Sequence, residues 1–365
     1  MKIAIVHDHL TQIGGAEKVL KIFHEMFPQA PIFTLVYNEE KMSGIFSKEN
    51  IETSFLQKYP WGVKHYQWYL PIMPAATESY NLSDFDVILS SSSALAKGVI
   101  TPSNSLHICY CHTPTRYLWS DTLSYVENLK YPFIIKKCIP FILNKLRVWD
   151  FIAGQRVDLF VANSKFVSER IKKYYKRESV VIYPPVETQK FSISNSVEKY
   201  YLTGGRIVPY KRFDITVKAF NQLNIPLKIF GDGPELENLK KIAKPNIEFL
   251  GKVSDAQLPL LYQKCVAFIH PQIEDFGITA IEAMASGRPV IAYDGGGARE
   301  TIIPGVSGEF FDEQAWEVLA DKIVRFKPQS YDPKIIKDHA EKFNVERFKS
   351  EILNFIQENY YENRH

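Results

Sequence analysis

Residues 265–293 constrain the chain more than any other stretch. Cys265–Val266–Ala267–Phe268–Ile269 is a short apolar run of β-rich character, and Pro289 to Tyr293 is another. Both read as buried strands. Between them lie a loop carrying Glu274 and a helix carrying Glu282, opened by Gly277 and closed by Ser286–Gly287 ahead of Pro289. Strand, acidic loop, glycine-led helix and strand make one unit of an open parallel sheet. In such sheets ligands gather at the carboxyl ends of the strands, and anions gather at helix N-termini. Glu274 occupies the first kind of position, and the amides of Gly277 and Ile278 the second.

The same alternation runs through the rest of the chain. In the first half, strands are expected at Lys2–Val6, Pro31–Tyr37, Asp86–Ser90, Leu106–Cys111, Asp158–Ala162 and Val180–Tyr183, with helices near Ala16–Met26 and from Ser164 to Tyr175. A polar stretch from Pro184 to Lys199 reads as an interdomain linker. Strands restart at Tyr200–Thr203, Leu227–Phe230 and Ile247–Val253, with a helix opening at Pro209–Tyr210–Lys211 and running to Leu223. Gly305–Phe311 reads as a hairpin-like end, and Asp332–Tyr361 as mostly helical. A length of 365 residues at 45% hydrophobic suits two such domains, each with its own core.

Composition removes several classes. A formal net charge of +3 does not suggest a nucleic-acid partner. Four unevenly spaced cysteines do not make a disulfide scaffold. The N-terminus enters a strand at once, and no run of about twenty apolar residues occurs, so a soluble cytoplasmic protein is expected. His107, Cys109 and Cys111 share one strand face; buried thiols are the better reading there than a metal site. Two segments carry surface chemistry. Phe55–Pro74 mixes Tyr59, Trp61, Tyr66, Trp68 and Tyr69 with Lys58, Lys64 and His65, which suits a membrane interface or glycan platform, or else a core-packing helix pair. Tyr131–Arg156 sets Lys136, Lys137, Lys145, Arg147 and Arg156 among Phe133, Ile134, Ile135 and Phe141. It reads as an interfacial helix against anionic lipid, broken or kinked at Pro140, or as a helix packed on the sheet with a solvated basic face.

With these residues in view, the pattern Pro271, Glu274, Phe276–Gly277, Glu282–Ala283–Met284–Ala285, Gly287, Pro289–Val290 resembles the Glu-x7-Glu signature of retaining glycosyltransferases of GT-B fold, family four (glycosyl transferases group 1). Val6–His7–Asp8–His9–Leu10, Gly14–Val19 and Cys111–Trp119 are similar, more particularly, to O-antigen-type mannosyltransferases. The resemblance implies two Rossmann-like domains with a central cleft and a C-terminal helix crossing back to the first. Residues 1–186 with about 347–365 would bind acceptor, and 187–346 the nucleotide-sugar. It implies transfer of a sugar, mannose from GDP-mannose in the first instance, onto a glycan or lipid-linked glycan in polysaccharide or O-antigen biosynthesis, with possible placement at the inner face of the cell membrane.

Residue roles follow from the same resemblance. Arg206 and Lys211, with the amides of Gly277 and Ile278, would hold the diphosphate. Gly14 and Gly15 would line it, with His7–Asp8–His9 in the same mouth. Glu282 would bind ribose, the backbone at Gly251–Lys252–Val253 the base, and Glu274 the sugar; Gly231 and Phe276 complete the donor set. His112, at the carboxyl end of a strand, would line the acceptor side. The resemblance implies metal-independent transfer, so neither metal nor cofactor is expected, the nucleotide-sugar being substrate. The rivals are a UDP-sugar donor, a pyridoxal-phosphate-dependent phosphorylase, an epimerase and a non-catalytic nucleotide-sugar-binding scaffold.

Overall fold

Ile3–His7 and Val87–Ser92 are buried along their whole length. Strands covered on both faces belong inside a parallel sheet flanked by helices. The computed structural model describes all residues except 43, 47, 129–131 and 363–365, and only the backbone of 124, 128, 133–135 and 362. The chain divides into two compact units, Met1–Tyr183 with Lys349–His365, and Pro184–Phe348.

Among the described residues the first unit holds seven parallel strands: β1 (Ile3–His7), β2 (Ile32–Thr34), β3 (Ile51–Thr53), β4 (Val87–Ser92), β5 (Leu106–Cys111), β6 (Leu159–Ala162) and β7 (Val180–Val181). Their order is β3-β2-β1-β4-β5-β6-β7, so the direction of winding reverses between β1 and β4. The register sets His7 beside Ser91, and Ser92 beside Cys111. The second unit repeats the plan with six: β8 (Tyr201–Gly204), β9 (Leu227–Phe230), β10 (Ile247–Gly251), β11 (Phe268–His270), β12 (Val290–Tyr293) and β13 (Gly308–Phe311). The order β10-β9-β8-β11-β12-β13 places its reversal between β8 and β11. Its core gathers Ile229, Ile269, Ile291, Phe213, Phe220 and Leu319 from strands and covering helices.

Several elements depart from the sequence reading. Pro140 lies inside one continuous helix, Phe133–Arg156, and does not end it. The expected apolar residues Tyr131, Phe133, Ile134 and Ile135 of that segment fall outside the described residues or side chains. Gly305–Phe311 is no hairpin: β13 joins the sheet edge parallel to β12. The run 55–74 is not a helix pair but two 3-10 segments, Phe55–Lys58 and Tyr66–Ile72, leading into the helix Met73–Glu78. Its residues divide: Tyr66, Tyr69 and Leu70 pack on the core, whereas Tyr59, Trp61 and Trp68 are exposed. Pro209–Lys211 is a 3-10 turn, and the helix proper, Phe213–Leu223, starts after Arg212 takes a left-handed φ of 52°. The polar run after Pro184 belongs to the second unit: Val186 and Phe191 are buried, Val186 bridges Asn344, and Thr188 donates to Glu341. Two apolar side chains among the serines are enough to fasten it.

One buried carboxylate organises the first unit. Asp8 follows β1 and accepts four backbone N–H groups, from Ser93 (2.6 Å), Ala94 (3.0 Å), Leu95 (2.7 Å) and Ala96 (2.7 Å). It thereby fixes the turn after β4. Burial works against its charge, but His7, the amides of Ala96 and Ser93, and His9 outweigh burial and hold the carboxyl below its ordinary 3.8. Asp8→Ala would strand four buried donors and is expected to cost about 3 kcal/mol or more. A folded-state value below the unfolded one gives stability that is complete above about pH 4 and lost as the pH falls through the folded value. Urea titrations of wild type and Asp8→Ala at pH 7 and at pH 3 check both: the two chains should differ at pH 7 and converge in acid.

Candidate active site

The second unit is built so that backbones meet closely at the carboxyl ends of β8, β9 and β10. Gly231 has φ +112°, and a Cβ there would fall 1.8 Å from the Gly205 carbonyl oxygen. Gly205 has φ +127°, and a Cβ on it would meet Lys211 Nζ at 3.2 Å. The Lys211 ammonium therefore rests over bare backbone. Nζ lies 2.9 Å from Glu274 Oε1, with both side chains mostly buried. Lys211 comes from the turn after β8 and Glu274 from the loop after β11, so the pair spans the reversal in strand order. Burial opposes the Lys211 charge, but Glu274 and Tyr210 more than offset it; the net pKa is raised even though Arg206 pulls the other way. Lys211 thus stays cationic at neutral pH. Arg206 is exposed and close enough for its charge to reach Lys211.

Gly277 stands at φ +94° immediately before the helix Ile278–Ala285. Beneath it lies His270, the last residue of β11; a Cβ on Gly277 would come 3.2 Å from His270 Nε2. Sequence reasoning missed His270. Its Nδ1 meets Gln272 Nε2 at 3.1 Å while Nε2 is buried without a partner. Burial pushes its pKa down to about 4, with Glu274 raising and Lys211 lowering it, so the imidazole is neutral. Glu282, on the helix, is buried and accepts from Tyr262 Oη at 3.1 Å. Phe276 turns its ring into the unit, edge-on to Phe343 at 5.5 Å, so only its main chain is left for a ligand. Val253 and Ile278 are half-buried at the same end of the sheet.

The first unit holds a second polar cluster, at its own reversal between β1 and β4. Ser91 Oγ lies 3.2 Å from His7 Nδ1 and 2.8 Å from His112 Nε2. His7 Nε2 is 3.6 Å from Glu17 Oε1, and Glu17 Oε2 accepts the Gly14 amide at 2.8 Å. That amide is therefore already engaged within the chain. Burial pushes His112 down to about 4; His7 adds to this, while Asp8 and Glu17 oppose it. Below the loop that follows His112 lies an ion pair the sequence did not reveal: Lys97 Nζ to Asp150 Oδ1 at 2.5 Å, both fully buried. Asp150 also accepts Thr115 Oγ1, Trp119 Nε1 and Tyr175 Oη at 2.7–2.9 Å. His107 pairs with Ser90 Oγ at 2.9 Å, and the Cys109 and Cys111 thiols sit in the apolar cluster with Val157 and Phe160.

Comparison with known proteins follows this geometry. Residues 185–343 match the model of the glycosyl transferases group 1 family. Over 281 residues the chain is 27% identical to the O-antigen chain mannosyltransferase of Salmonella typhimurium, covering 70% of this chain and 74% of that one. An uncharacterized glycosyltransferase of Methanocaldococcus jannaschii is 28% identical over 46% of this chain and 49% of its own. The alpha-1,3/1,6-mannosyltransferase of Dictyostelium discoideum is 27% identical over 56% and 58%. The chain thus spans about half the length of the first curated relatives it matches. Among solved structures, the Anabaena protein HepE in complex with UDP superposes with a TM-score of 0.71 at 18% identity, over 98% of this chain and 100% of that one. A sucrose-phosphate synthase of Thermosynechococcus elongatus gives 0.74 at 16%, over 99% and 100%. The α/β architecture of two parallel sheets is accordingly the GT-B fold.

The glycine contacts make a graded prediction. Gly231→Ala drives a methyl into the Gly205 carbonyl and should cost at least about 3 kcal/mol, lowering the melting temperature steeply. At Gly251, also at positive φ but with nothing within 4 Å of a Cβ, alanine should cost only about 1 kcal/mol. Thermal melts of the two variants side by side check the difference.

Proposed function

We propose that the chain is a retaining glycosyltransferase that moves a sugar, mannose from GDP-mannose in the first instance, onto a glycan or lipid-linked glycan. The observation that carries this reading is the Lys211–Glu274 pair at the strand reversal of the region that matches the group 1 model. The mannosyltransferases among its relatives support the choice of sugar. In this reading Lys211, Arg206 and the amides opening the helix Ile278–Ala285 hold the donor diphosphate and stabilise its charge as the glycosidic bond breaks. These cations do the work a metal does elsewhere, so transfer is expected without one. Glu274 contacts the sugar and favours the oxocarbenium-like transition state, while Glu282, oriented by Tyr262, takes the ribose. The acceptor hydroxyl attacks from the donor's own face, and its proton passes to the departing phosphate. His112 lines the acceptor side.

The donor base is the part least fixed by side chains, because main-chain groups near Gly251–Val253 would read it. A UDP-sugar is therefore the second reading, favoured by the UDP held in the Anabaena structure. Exposed Trp61, Trp68, Phe141 and Ile152 in the first unit, with Lys58, Lys64 and Lys145 along the same segments, support peripheral contact with an anionic membrane. No helix of the described residues is long and apolar enough to cross one.

Calorimetry of GDP, UDP and ADP without metal tests the donor. GDP should bind tightest, and an Arg206→Ala/Lys211→Ala chain should lose binding at least about tenfold. Preference for UDP discards mannose as first choice, and no binding at all discards the transferase reading in favour of the phosphorylase or a degenerate scaffold. Glu274→Ala and Lys211→Ala should each lower transfer of sugar about a hundredfold or more in chains that remain folded. For the membrane, sedimentation with phosphatidylglycerol vesicles should fall when Trp61 and Trp68 are both changed to Ala, and should weaken with salt.

A further inference from the structure

We propose that His7, Ser91 and His112 form a hydrogen-bonded chain whose direction is set by the protonation of His7, which decides whether His112 offers a lone pair or an N–H at Nδ1. The reading of His112 as an acceptor-side group rests on the proposed function; the direction of the chain does not.

The argument starts at Glu17. Its carboxyl is held below the ordinary range, since His7 and His9 outweigh the burial that opposes ionisation. A buried carboxylate has no hydrogen to give, so the His7 Nε2 facing it at 3.6 Å carries the proton. With His7 neutral, its Nδ1 is then an acceptor. Ser91 Oγ, 3.2 Å away, has one hydrogen and gives it to that nitrogen. The hydroxyl has only lone pairs left for its other neighbour. His112 Nε2, 2.8 Å from the same oxygen, must be the donor, and its Nδ1 is left as a bare lone pair. None of the described residues bonds that Nδ1, and His112 keeps 8% of its surface open. A neutral His112 therefore presents an acceptor, suited to receive an O–H from a sugar or acceptor hydroxyl.

Adding one proton to His7 reverses every link. Nδ1–H now donates to Ser91 Oγ, the serine hydrogen turns to His112 Nε2, and the single N–H of a neutral His112 moves to Nδ1. No atom is gained or lost beyond the proton on His7; the proton leaving His112 Nε2 and the one arriving at Nδ1 exchange through solvent. The charged and titratable groups facing His7 are Asp8, Glu17, His9 and His112. Two of these are carboxylates, so the added charge is accommodated where it forms. Tyr110 packs edge-on against the His112 ring at 5.2 Å and holds it in place for either state. Register does the rest: β1 and β4 set His7 beside Ser91, and the β4–β5 pairing carries His112 to the next position on the rim.

The test reads tautomers directly and needs no substrate. Chain labelled with 15N only at histidine is followed by long-range proton–nitrogen spectra from pH 8 to pH 5, with His112 assigned by its loss in His112→Gln. At pH 8 His112 is expected as the Nε2–H form where the same spectra show His7 with a single N–H, and as the Nδ1–H form where they show His7 with both nitrogens protonated. In Ser91→Ala the fixed preference should disappear, leaving a mixture, and Ser91→Thr should restore it. His112 as Nδ1–H while His7 carries one N–H, or as Nε2–H while His7 carries two, overturns the proposal, and so does an unchanged preference in a folded Ser91→Ala. Should Ser91→Ala fail to fold, the wild-type titration alone decides. Failure of GDP and UDP binding would sink the transferase reading and leave this result standing.

Discussion

Strands such as β1, β4 and β11 are covered on both faces, and this burial governs where the chain can place chemistry. Polar side chains cannot interrupt such strands without losing their hydration. They collect at the carboxyl ends, and most densely where the strand order reverses and two loops part. Each unit follows this rule independently. In the first, His7, Asp8, Ser91 and His112 stand at the rim beside the reversal; in the second, Lys211, Glu274 and His270 do. The two polar clusters are a by-product of topology, repeated because the topology is repeated.

The two clusters solve the problem of buried charge in different ways. In the second unit the Lys211 ammonium and the Glu274 carboxylate neutralise each other above a backbone stripped of side chains, with Arg206 exposed nearby. In the first, Asp8 is satisfied by four amides, and Glu17 by an amide and a histidine. Those carboxylates are not free to receive a ligand cation; their charges act on the imidazoles around them. The clusters therefore differ in kind: one is a neutralised ion pair over bare backbone, the other a set of imidazoles held beside carboxylates that are already satisfied.

Much of this was legible in the sequence. Apolar runs of strand length, glycines after strands and the Glu274–Glu282 stretch located most strands and the rim of the second sheet. The errors share a physical cause. Pro140 reads as a break or a kink because its missing N–H costs a helix one bond; it is not a break, and Leu143 and Leu146 pack against Leu118 just beyond it. β3 is three residues long and half-exposed, too short for any period to show. The segment after Pro184 looked like a linker because its polar residues outnumber Val186 and Phe191, which nevertheless anchor it. Lys97–Asp150 and His7–Ser91–His112 join residues far apart in the chain, and only the strand order brings them together. The order β1-β4-β5 would have been the one clue to the histidine chain.

The Lys97–Asp150 pair carries a consequence for the birth of the molecule. Lys97 belongs to the turn after β4, early in the chain, whereas its counter-charge lies on a helix completed at Arg156 and its neighbour Tyr175 comes later still. A ribosome that has released only the first four strands has produced a fragment that cannot close over Lys97 without trapping a lone ammonium, at a cost of several kcal/mol. The counter-charge that Lys97 takes in the folded unit is thus supplied only by the downstream half of the same sheet, so the N-terminal strands alone lack a partner the closed core requires.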